Sequence, residues 1–144
     1  MEELSIIVDQ RERNTELLDT LKEIGFNIDI NLIPVGDYIV SDRVCIERKT
    51  VSDFESSIIS GRLFDQLERL KETYELPLII LEGDQKDFRL GNNVINGTIA
   101  SVYVDYGIPI LFSKSAENTA ELIASIAKRE QNGKKRGESA CCGS

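Results

Sequence analysis

The 144-residue chain contains no histidine and no tryptophan, and it has only three cysteines. Without histidine it cannot form a Ser-His-Asp or Cys-His catalytic group, a histidine zinc site or a histidine general base. Cys141 and Cys142 are adjacent and Cys45 lies in an apolar run, so the cysteines predict reduced thiols rather than a disulfide framework. Any catalysis must therefore use carboxylates, lysine, arginine, hydroxyl groups or a metal ion held by oxygen atoms.

The chain also lacks long apolar segments. Its longest strongly apolar run covers residues 76–81, which is too short to cross a bilayer. The first residues have neither the basic region nor the apolar stretch of a signal peptide. We therefore expect a soluble protein with no membrane contact and an intracellular location, cytoplasmic in an archaeon or nuclear in a eukaryote.

The charge of the chain is negative and unevenly distributed. The net charge is −8, and five lysines and arginines are concentrated in residues 128–136 near the end. An acidic protein is a poor nonspecific binder of nucleic acid, because phosphates repel it. A phosphate-bearing partner would need a local basic patch, or metal ions that neutralise the carboxylates.

The hydrophobic pattern alternates between strands and helices. Strands are predicted over residues 4–9, 27–33, 37–40, 44–49, 76–81 and 108–112, and helices over residues 14–25, 50–61, 63–74, 95–107 and 115–131. Tyr38, Phe54, Tyr103 and Tyr106 are interpreted as packing residues. This order predicts an α/β sandwich with a central mixed sheet and helices on both faces. Residues 1–131 form the predicted domain, and residues 132–144 a flexible linker or an artificial tail.

Polar residues are concentrated where the predicted sheet should end. Strand alternation puts Glu47 and Lys49 on one face and Arg48 on the other. Asp37 begins the neighbouring strand and Asp9 ends the first one, so the three carboxylates can meet at one edge. Carboxylate oxygens can hold Mg²⁺ or Mn²⁺, and such an ion activates water and polarises a phosphoryl group. The arrangement is typical of a metal-dependent nuclease.

Surface ion pairs are an alternative explanation of these residues. Charged residues are common at strand ends, and such pairs contribute little to stability. Short motifs also match by chance, so the spacing of Asp37, Glu47 and Lys49 alone favours this alternative.

A longer ordered set of motifs changes that balance. It comprises Val8-Asp9-Gln10-Arg11-Glu12, Gly36-Asp37-Tyr38, Glu47-Arg48-Lys49, Asp53, and Gly61-Arg62-Leu63 with Gln66. This resembles the XPF/Hef family of structure-selective DNA endonucleases, in particular the archaeal Hef type, whose signature is GD-X(n)-ERK-XXX-D preceded by VD-X-RE. The resemblance covers about residues 4–131. It implies a restriction-endonuclease-like three-layer sandwich and endonuclease activity on flaps, forks and nicked junctions in DNA repair or fork processing.

The resemblance also implies roles for individual residues. Asp37 and Glu47 would be the main ligands of Mg²⁺ or Mn²⁺, Lys49 the catalytic lysine, and Asp9 a further ligand or a water-mediated one. Glu12 would add negative charge near the metal. Three arginines, Arg11, Arg48 and Arg62, would contact phosphate or hold the carboxylates. Asp53 would orient Arg48 or Lys49 indirectly, and Gln66 would lie near the phosphate. A solvated helix face explains Arg69 better.

The resemblance further implies partners. Family members suggest a homodimer built from the C-terminal helices and the strand at 108–112, although sequence alone favours core packing of these segments. The nuclease domain would normally be linked to a helix-hairpin-helix domain, and in Hef-type proteins to a helicase. Two alternatives stay open. The chain could be a non-catalytic dimerisation scaffold that recruits a nuclease, or a small acidic interaction domain whose motif matches arose by chance.

Overall fold

A six-stranded mixed sheet organises the chain. The structure, a computed structural model, describes the backbone of residues 4–143 and the side chains of residues 4–133. The strands are β1 (Leu4–Asp9), β2 (Phe26–Asn31), β3 (Tyr38–Ile39), β4 (Val44–Thr50), β5 (Leu76–Glu82) and β6 (Ile110–Ser113). The helices are α1 (Thr15–Ile24), α2 (Val51–Ser60), α3 (Leu63–Thr73), α4 (Asn92–Val104) and α5 (Ala116–Gly143), with a short 3-10 turn at Gln85–Asp87.

The strand order is β2-β1-β3-β4-β5-β6. The short strand β3 runs antiparallel to both of its neighbours, while β1–β2, β4–β5 and β5–β6 are parallel pairs. Helices α1 and α5 bury their apolar faces in one core cluster, and α2, α3 and α4 contribute to a second. The predicted three-layer α/β sandwich is therefore confirmed, and Tyr38 and Phe54 are fully buried as expected.

Polar side chains cap the starts of α1 and α2. The Asn14 side chain accepts a hydrogen bond from the Leu17 amide at 3.0 Å and begins α1. Thr50, the last residue of β4, accepts one from the Asp53 amide at 3.1 Å and begins α2. Because Thr50 belongs to both elements, β4 leads into α2 without a loop, and the strand's last side chains lie beside the helix start.

Two predictions differ from the structure. Tyr103, in the last turn of α4, is 64% exposed rather than packed. Helix α5 continues to Gly143, past its predicted end near residue 131. Cys141, Cys142 and the basic tail side chains lie outside the described residues, so the linker stays a prediction.

No helix in the described part of the chain is both long enough and apolar enough to pass through a bilayer.

Gly36 allows the turn that leads into β3. Its φ of +90° lies in the left-handed region, and a side chain there would meet the Cys45 sulfur on the adjacent strand. Gly61 also has a positive φ, of +77°, but a side chain there would meet no atom within 4 Å. The Gly36 turn sets the direction in which the chain enters Asp37.

We expect Gly36→Ala to lower the free energy of unfolding by more than Gly61→Ala does. Both substitutions force alanine into a left-handed conformation, which costs about 1–3 kcal/mol, but only the first adds a clash with Cys45. Urea unfolding of both variants measures the difference. Equal losses would show that the Gly36 turn can move away from Cys45 at little cost.

Candidate active site

The end of β1, the residue before β3 and the second half of β4 bring Asp9, Asp37 and Glu47 together at one end of the central strands. The Asp9 amide donates to the Asp37 carbonyl at 2.9 Å, and the Asp37 amide donates to the Ile46 carbonyl at 3.0 Å. One position further, the Arg48 amide donates to Asp37 Oδ2 at 2.8 Å. Backbone pairing between β3 and β4 has ended at this point. The Asp37 carboxylate therefore accepts the β4 hydrogen bond that a backbone carbonyl would accept in a continued ladder.

A cleft of about 330 Å³ opens at this edge. Its lining residues come from the end of β1 and the loop after it, from the segment that precedes β3, and from β4 and α3; they are Asp9, Arg11, Pro34, Val35, Gly36, Asp37, Glu47, Gln66, Arg69 and Leu70. The cleft therefore combines carboxylates with two arginines and one amide side chain.

Alternation along β4 separates two sets of side chains. Lys49 is 7% exposed, and its ammonium lies 3.8 Å from Glu47 Oε2 on the cleft side. Arg48 extends to the other face, where it donates two hydrogen bonds to Glu82. The prediction that Glu47 and Lys49 lie on one face of the strand and Arg48 on the other is confirmed.

The two central carboxylates lie in an unfavourable electrostatic environment. Burial and the neighbouring charge of Glu47 raise the pKa of Asp37 to about 8, although the Arg48 amide opposes the shift. Burial also raises the pKa of Glu47, against the influence of the Lys49 ammonium. Protein groups therefore leave the negative charge of the pair incompletely compensated.

This pair fits a hard divalent cation. Two carboxylates in one cleft supply oxygen ligands, and Mg²⁺ typically binds one or two carboxylates and keeps several waters. A group of three or more aspartate, glutamate or cysteine side chains placed to hold one ion does not occur among residues 4–133. Asp37 and Glu47 would therefore hold the ion without a third carboxylate as direct ligand.

Asp9, the predicted third ligand, is occupied by other partners. Its Oδ2 accepts from Arg11 Nε at 2.7 Å, and its Oδ1 accepts from the Ile33 amide at 3.1 Å. Burial favours the neutral acid, but these hydrogen bonds outweigh it and hold the pKa of Asp9 below its usual value. Arg11 also donates to the Ile33 carbonyl at 2.7 Å. The predicted role of Arg11 in holding a carboxylate agrees with this geometry.

Glu12 lies on the Arg48 side of the sheet. Its Oε2 accepts from the Tyr38 hydroxyl at 2.7 Å and lies 3.9 Å from Arg48. Its Oε1 accepts from the amides of Arg13 and Asn14, each at 2.9 Å. Burial and this carboxylate acceptor raise the pKa of the Tyr38 hydroxyl. Glu12 therefore joins the first loop to β3, and its oxygens face partners other than the cleft.

The remaining predicted residues divide into two groups. Gln66 lines the cleft, and its buried Oε1 has no hydrogen-bond partner among the described residues. Arg62 and Asp53 are exposed, and neither side chain forms a hydrogen bond or ion pair within residues 4–133. Arg48 has Glu82 and Glu12 as its partners instead of Asp53. The structure thus brings Gln66 to the site but not Arg62 or Asp53.

The sequence comparison agrees with this geometry. A family model described as the ERCC4 domain matches residues 8–126, which include every element of the cleft. The chain belongs to the ERCC4 domain family. The predicted resemblance to XPF/Hef nucleases is thereby confirmed.

Two relatives show how much of a longer protein this ERCC4 domain represents. A putative ATP-dependent RNA helicase of Methanocaldococcus jannaschii is 48% identical over 134 residues, which are 92% of this chain and 16% of that protein. The 3′-flap repair endonuclease Xpf of Saccharolobus solfataricus is 34% identical over 136 residues, which are 92% of this chain and 58% of that protein. The chain therefore spans less than two thirds of both relatives.

Solved structures confirm the fold of this ERCC4 domain. XPF from Aeropyrum pernix superposes with a TM-score of 0.84 at 36% identity, over 88% of this chain and 65% of that one. A complex of the same protein with DNA gives 0.84 at 35% identity, over 90% and 66% of the two chains.

Sequence analysis missed three contributors to the site. On the far face of the sheet, Glu82 accepts hydrogen bonds from Arg48 and from the Thr119 hydroxyl. Arg69, assigned to a solvated helix face, lines the cleft. Glu82 could have been found by the rule that indicated Asp9, because it is an acidic residue at the carboxyl end of a buried strand. Thr119 lies in an apolar helical pattern that gave no indication of a polar role.

We expect Asp37→Asn to stabilise the metal-free protein. The folded-state pKa of Asp37 lies above its unfolded value, so stability is lost as pH rises through that range, whereas asparagine titrates nowhere in it. The gain in unfolding free energy should grow from near zero at about pH 4 to about 3–6 kcal/mol at about pH 8, because each pH unit between the unfolded and folded pKa values changes it by about 1.4 kcal/mol. Urea unfolding in EDTA measures it.

The control for this experiment is Asp29→Asn, which changes an exposed carboxylate on edge strand β2. It should alter the unfolding free energy by less than about 0.5 kcal/mol at either pH. A destabilised Asp37→Asn variant at high pH would show that the carboxylate charge is well compensated by the protein.

Proposed function

We propose that this ERCC4 domain is a metal-dependent endonuclease that hydrolyses phosphodiester bonds near branch points in DNA, such as flaps, forks and nicked junctions. The supporting observation is the undercompensated Asp37–Glu47 pair beside Lys49 in an open cleft. The printed names of relatives, a 3′-flap repair endonuclease and DNA repair endonucleases, support the same reaction and a role in repair. The reaction would add water across a P–O bond and leave a 5′-phosphate and a 3′-hydroxyl.

Each cleft residue has a proposed part in this reaction. Asp37 and Glu47 hold Mg²⁺ or Mn²⁺, and the ion supplies charge neutralisation and water activation when bound. Lys49, fixed beside Glu47, donates to the scissile phosphate or orients the attacking water. Asp9 adds negative charge without direct ligation, because Arg11 and Ile33 already occupy its oxygens.

The basic and amide side chains at the rim of the cleft would bind the DNA phosphates. Arg11 and Arg69 are exposed there, and Gln66 offers a polar group with no partner among the described residues. Two arginines provide little electrostatic attraction in a chain of net charge −8. We therefore propose that DNA affinity depends on segments outside this domain, such as a linked helix-hairpin-helix module or helicase.

The competing hypothesis is a non-catalytic scaffold that recruits a nuclease partner. Such a scaffold has no need of Asp37, Glu47 and Lys49 together, and the cost of burying two carboxylates side by side favours selection for metal binding. Catalysis is for this reason the preferred proposal.

We expect Glu47→Gln and Asp37→Asn each to lower the cleavage rate at least about 100-fold, because each removes a charged oxygen ligand of the ion. The measurement uses labelled fork, flap and linear duplex DNA with Mg²⁺, Mn²⁺ or EDTA. Asp29→Asn is the matched control and should leave the cleavage rate unchanged, since Asp29 is an exposed carboxylate on edge strand β2 and does not line the cleft. Cleavage that persists in EDTA, or in both site variants, would refute the proposal.

We also propose that the domain forms a homodimer through β6 and the end of α4. Four large apolar side chains are exposed near this sheet edge: Tyr103, Val104, Leu111 and Phe112. Val104 is 77% exposed, and exposed apolar groups of this kind mark protein interfaces. In α5, by contrast, Ala120, Ile123 and Ala127 are buried within the chain's own core. The proposed interface therefore uses less of α5 than the sequence suggested.

We expect the wild-type protein to have twice the 16.1 kDa chain mass in light scattering. Val104→Asp should convert it to a monomer, because the dimer would bury that charge. Ile30→Asp, an equivalent change at the opposite sheet edge, should leave the dimer intact. A monomeric wild type at micromolar concentration would contradict the dimer proposal.

A further inference from the structure

A buried polar cluster lies behind β4, on the face opposite the carboxylate cleft. The Arg48 guanidinium donates to Glu82 twice, with Nε–Oε1 at 2.9 Å and Nη2–Oε2 at 2.7 Å. The Thr119 hydroxyl donates to the same Glu82 Oε1 at 2.6 Å and lies 2.7 Å from the Ser113 hydroxyl. None of the four side chains belongs to the residues that line the cleft.

The cluster holds Arg48 in a single arrangement. The Arg48 and Glu82 side chains are 15% and 12% exposed, and Thr119, near the start of α5, is completely buried. A two-pronged guanidinium–carboxylate pair has strict geometry, and in a buried place it is stable only when its other polar atoms are also bonded. Thr119 supplies such a bond, and hydrogen bonds from Arg48 and Thr119 lower the pKa of Glu82 against its burial.

Arg48 also connects this cluster to the proposed metal ligands. Its side chain points to Glu82, whereas its backbone amide donates to Asp37 Oδ2 at 2.8 Å. The ladder between β3 and β4 pairs Tyr38 with Ile46 and does not reach Arg48. The Asp37 carboxylate is therefore hydrogen-bonded to the backbone amide of Arg48. The Arg48 side chain is in turn held by Glu82 on the opposite face of the sheet.

We infer that Glu82, held by Thr119, is a positioning residue for the Asp37–Glu47 pair. It anchors Arg48, which keeps the Arg48 amide on Asp37 Oδ2 and so fixes the orientation of the Asp37 carboxylate beside Glu47. The inference rests on the proposed function, because it concerns the pair that would bind the metal. It also gives α5 a direct effect on the site, because Thr119 lies on that helix.

Two variants of Thr119 test the inference. Thr119→Val removes the hydroxyl and keeps the shape, whereas Thr119→Ser keeps the hydroxyl. In metal-free protein, we expect the Arg48 amide resonance in ¹⁵N–¹H NMR spectra to shift in the valine variant and to keep its wild-type position in the serine variant. Calorimetric titration with Mn²⁺ alone should show about tenfold weaker binding for valine and near wild-type binding for serine.

A second pair of variants separates positioning from general loss of stability. Glu82→Gln should weaken Mn²⁺ binding at least as much as Thr119→Val does. Glu55→Gln is the matched control, because Glu55 is also a buried glutamate and accepts two backbone amides, from Arg89 and Leu90, at 2.7 Å each. It should leave both the Arg48 resonance and the Mn²⁺ affinity unchanged.

Two results would overturn the inference. One is an Arg48 resonance and an Mn²⁺ affinity in Thr119→Val that match wild type. The other is an equal loss of Mn²⁺ binding in Glu55→Gln. If the wild-type protein binds no Mn²⁺ at all, the proposed function fails, and the metal-free Arg48 resonance still decides the inference independently.

Discussion

The hydrogen bond from the Arg48 amide to Asp37 Oδ2 determines how the two halves of the site meet. It joins the chain before β3 to the last part of β4 at the point where backbone pairing between them has stopped. Had the ladder continued, a backbone carbonyl would occupy this position and the edge would be closed. Because a carboxylate occupies it, this end of the strands opens into a cleft lined by Asp37 and Glu47. Lys49 is buried beside Glu47, and Arg48 extends to the opposite face.

The candidate site lowers the stability of its own fold. Two carboxylates share a partly buried cleft with one ammonium group close by, and burial raises the pKa of both. Elsewhere the chain compensates buried charge well, since Glu82 has Arg48 and Thr119, and Asp9 has Arg11. The contrast identifies Asp37 and Glu47 as the place where function rather than stability selected the residues.

Local patterns predicted most of the fold, because they depend on neighbours in the chain. The helices α1 and α2 begin where the predicted ranges place them, capped by Asn14 and Thr50, and β4 alternates as its sequence indicates. Exposure of Tyr103 could not be predicted, because it depends on where the sheet ends, and helical periodicity alone does not report that. The partners of Arg48 were also beyond local patterns. They lie 34 and 36 positions away in the chain, at Glu82 and Glu12.

The position of the turn in the β3–β4 hairpin determines where residues can be inserted into this domain without disturbing the site. Its turn lies at residues 40–43, at the end of the hairpin remote from Asp37 and Glu47. Residues added there would lengthen the hairpin outward without moving either carboxylate. After Lys49 no such freedom exists, because β4 passes directly into α2 at Thr50. Insertions should thus be accepted between Asp37 and Glu47 but rejected between Lys49 and Asp53. This accounts physically for the signature GD-X(n)-ERK-XXX-D, in which the first spacing varies and the second is fixed.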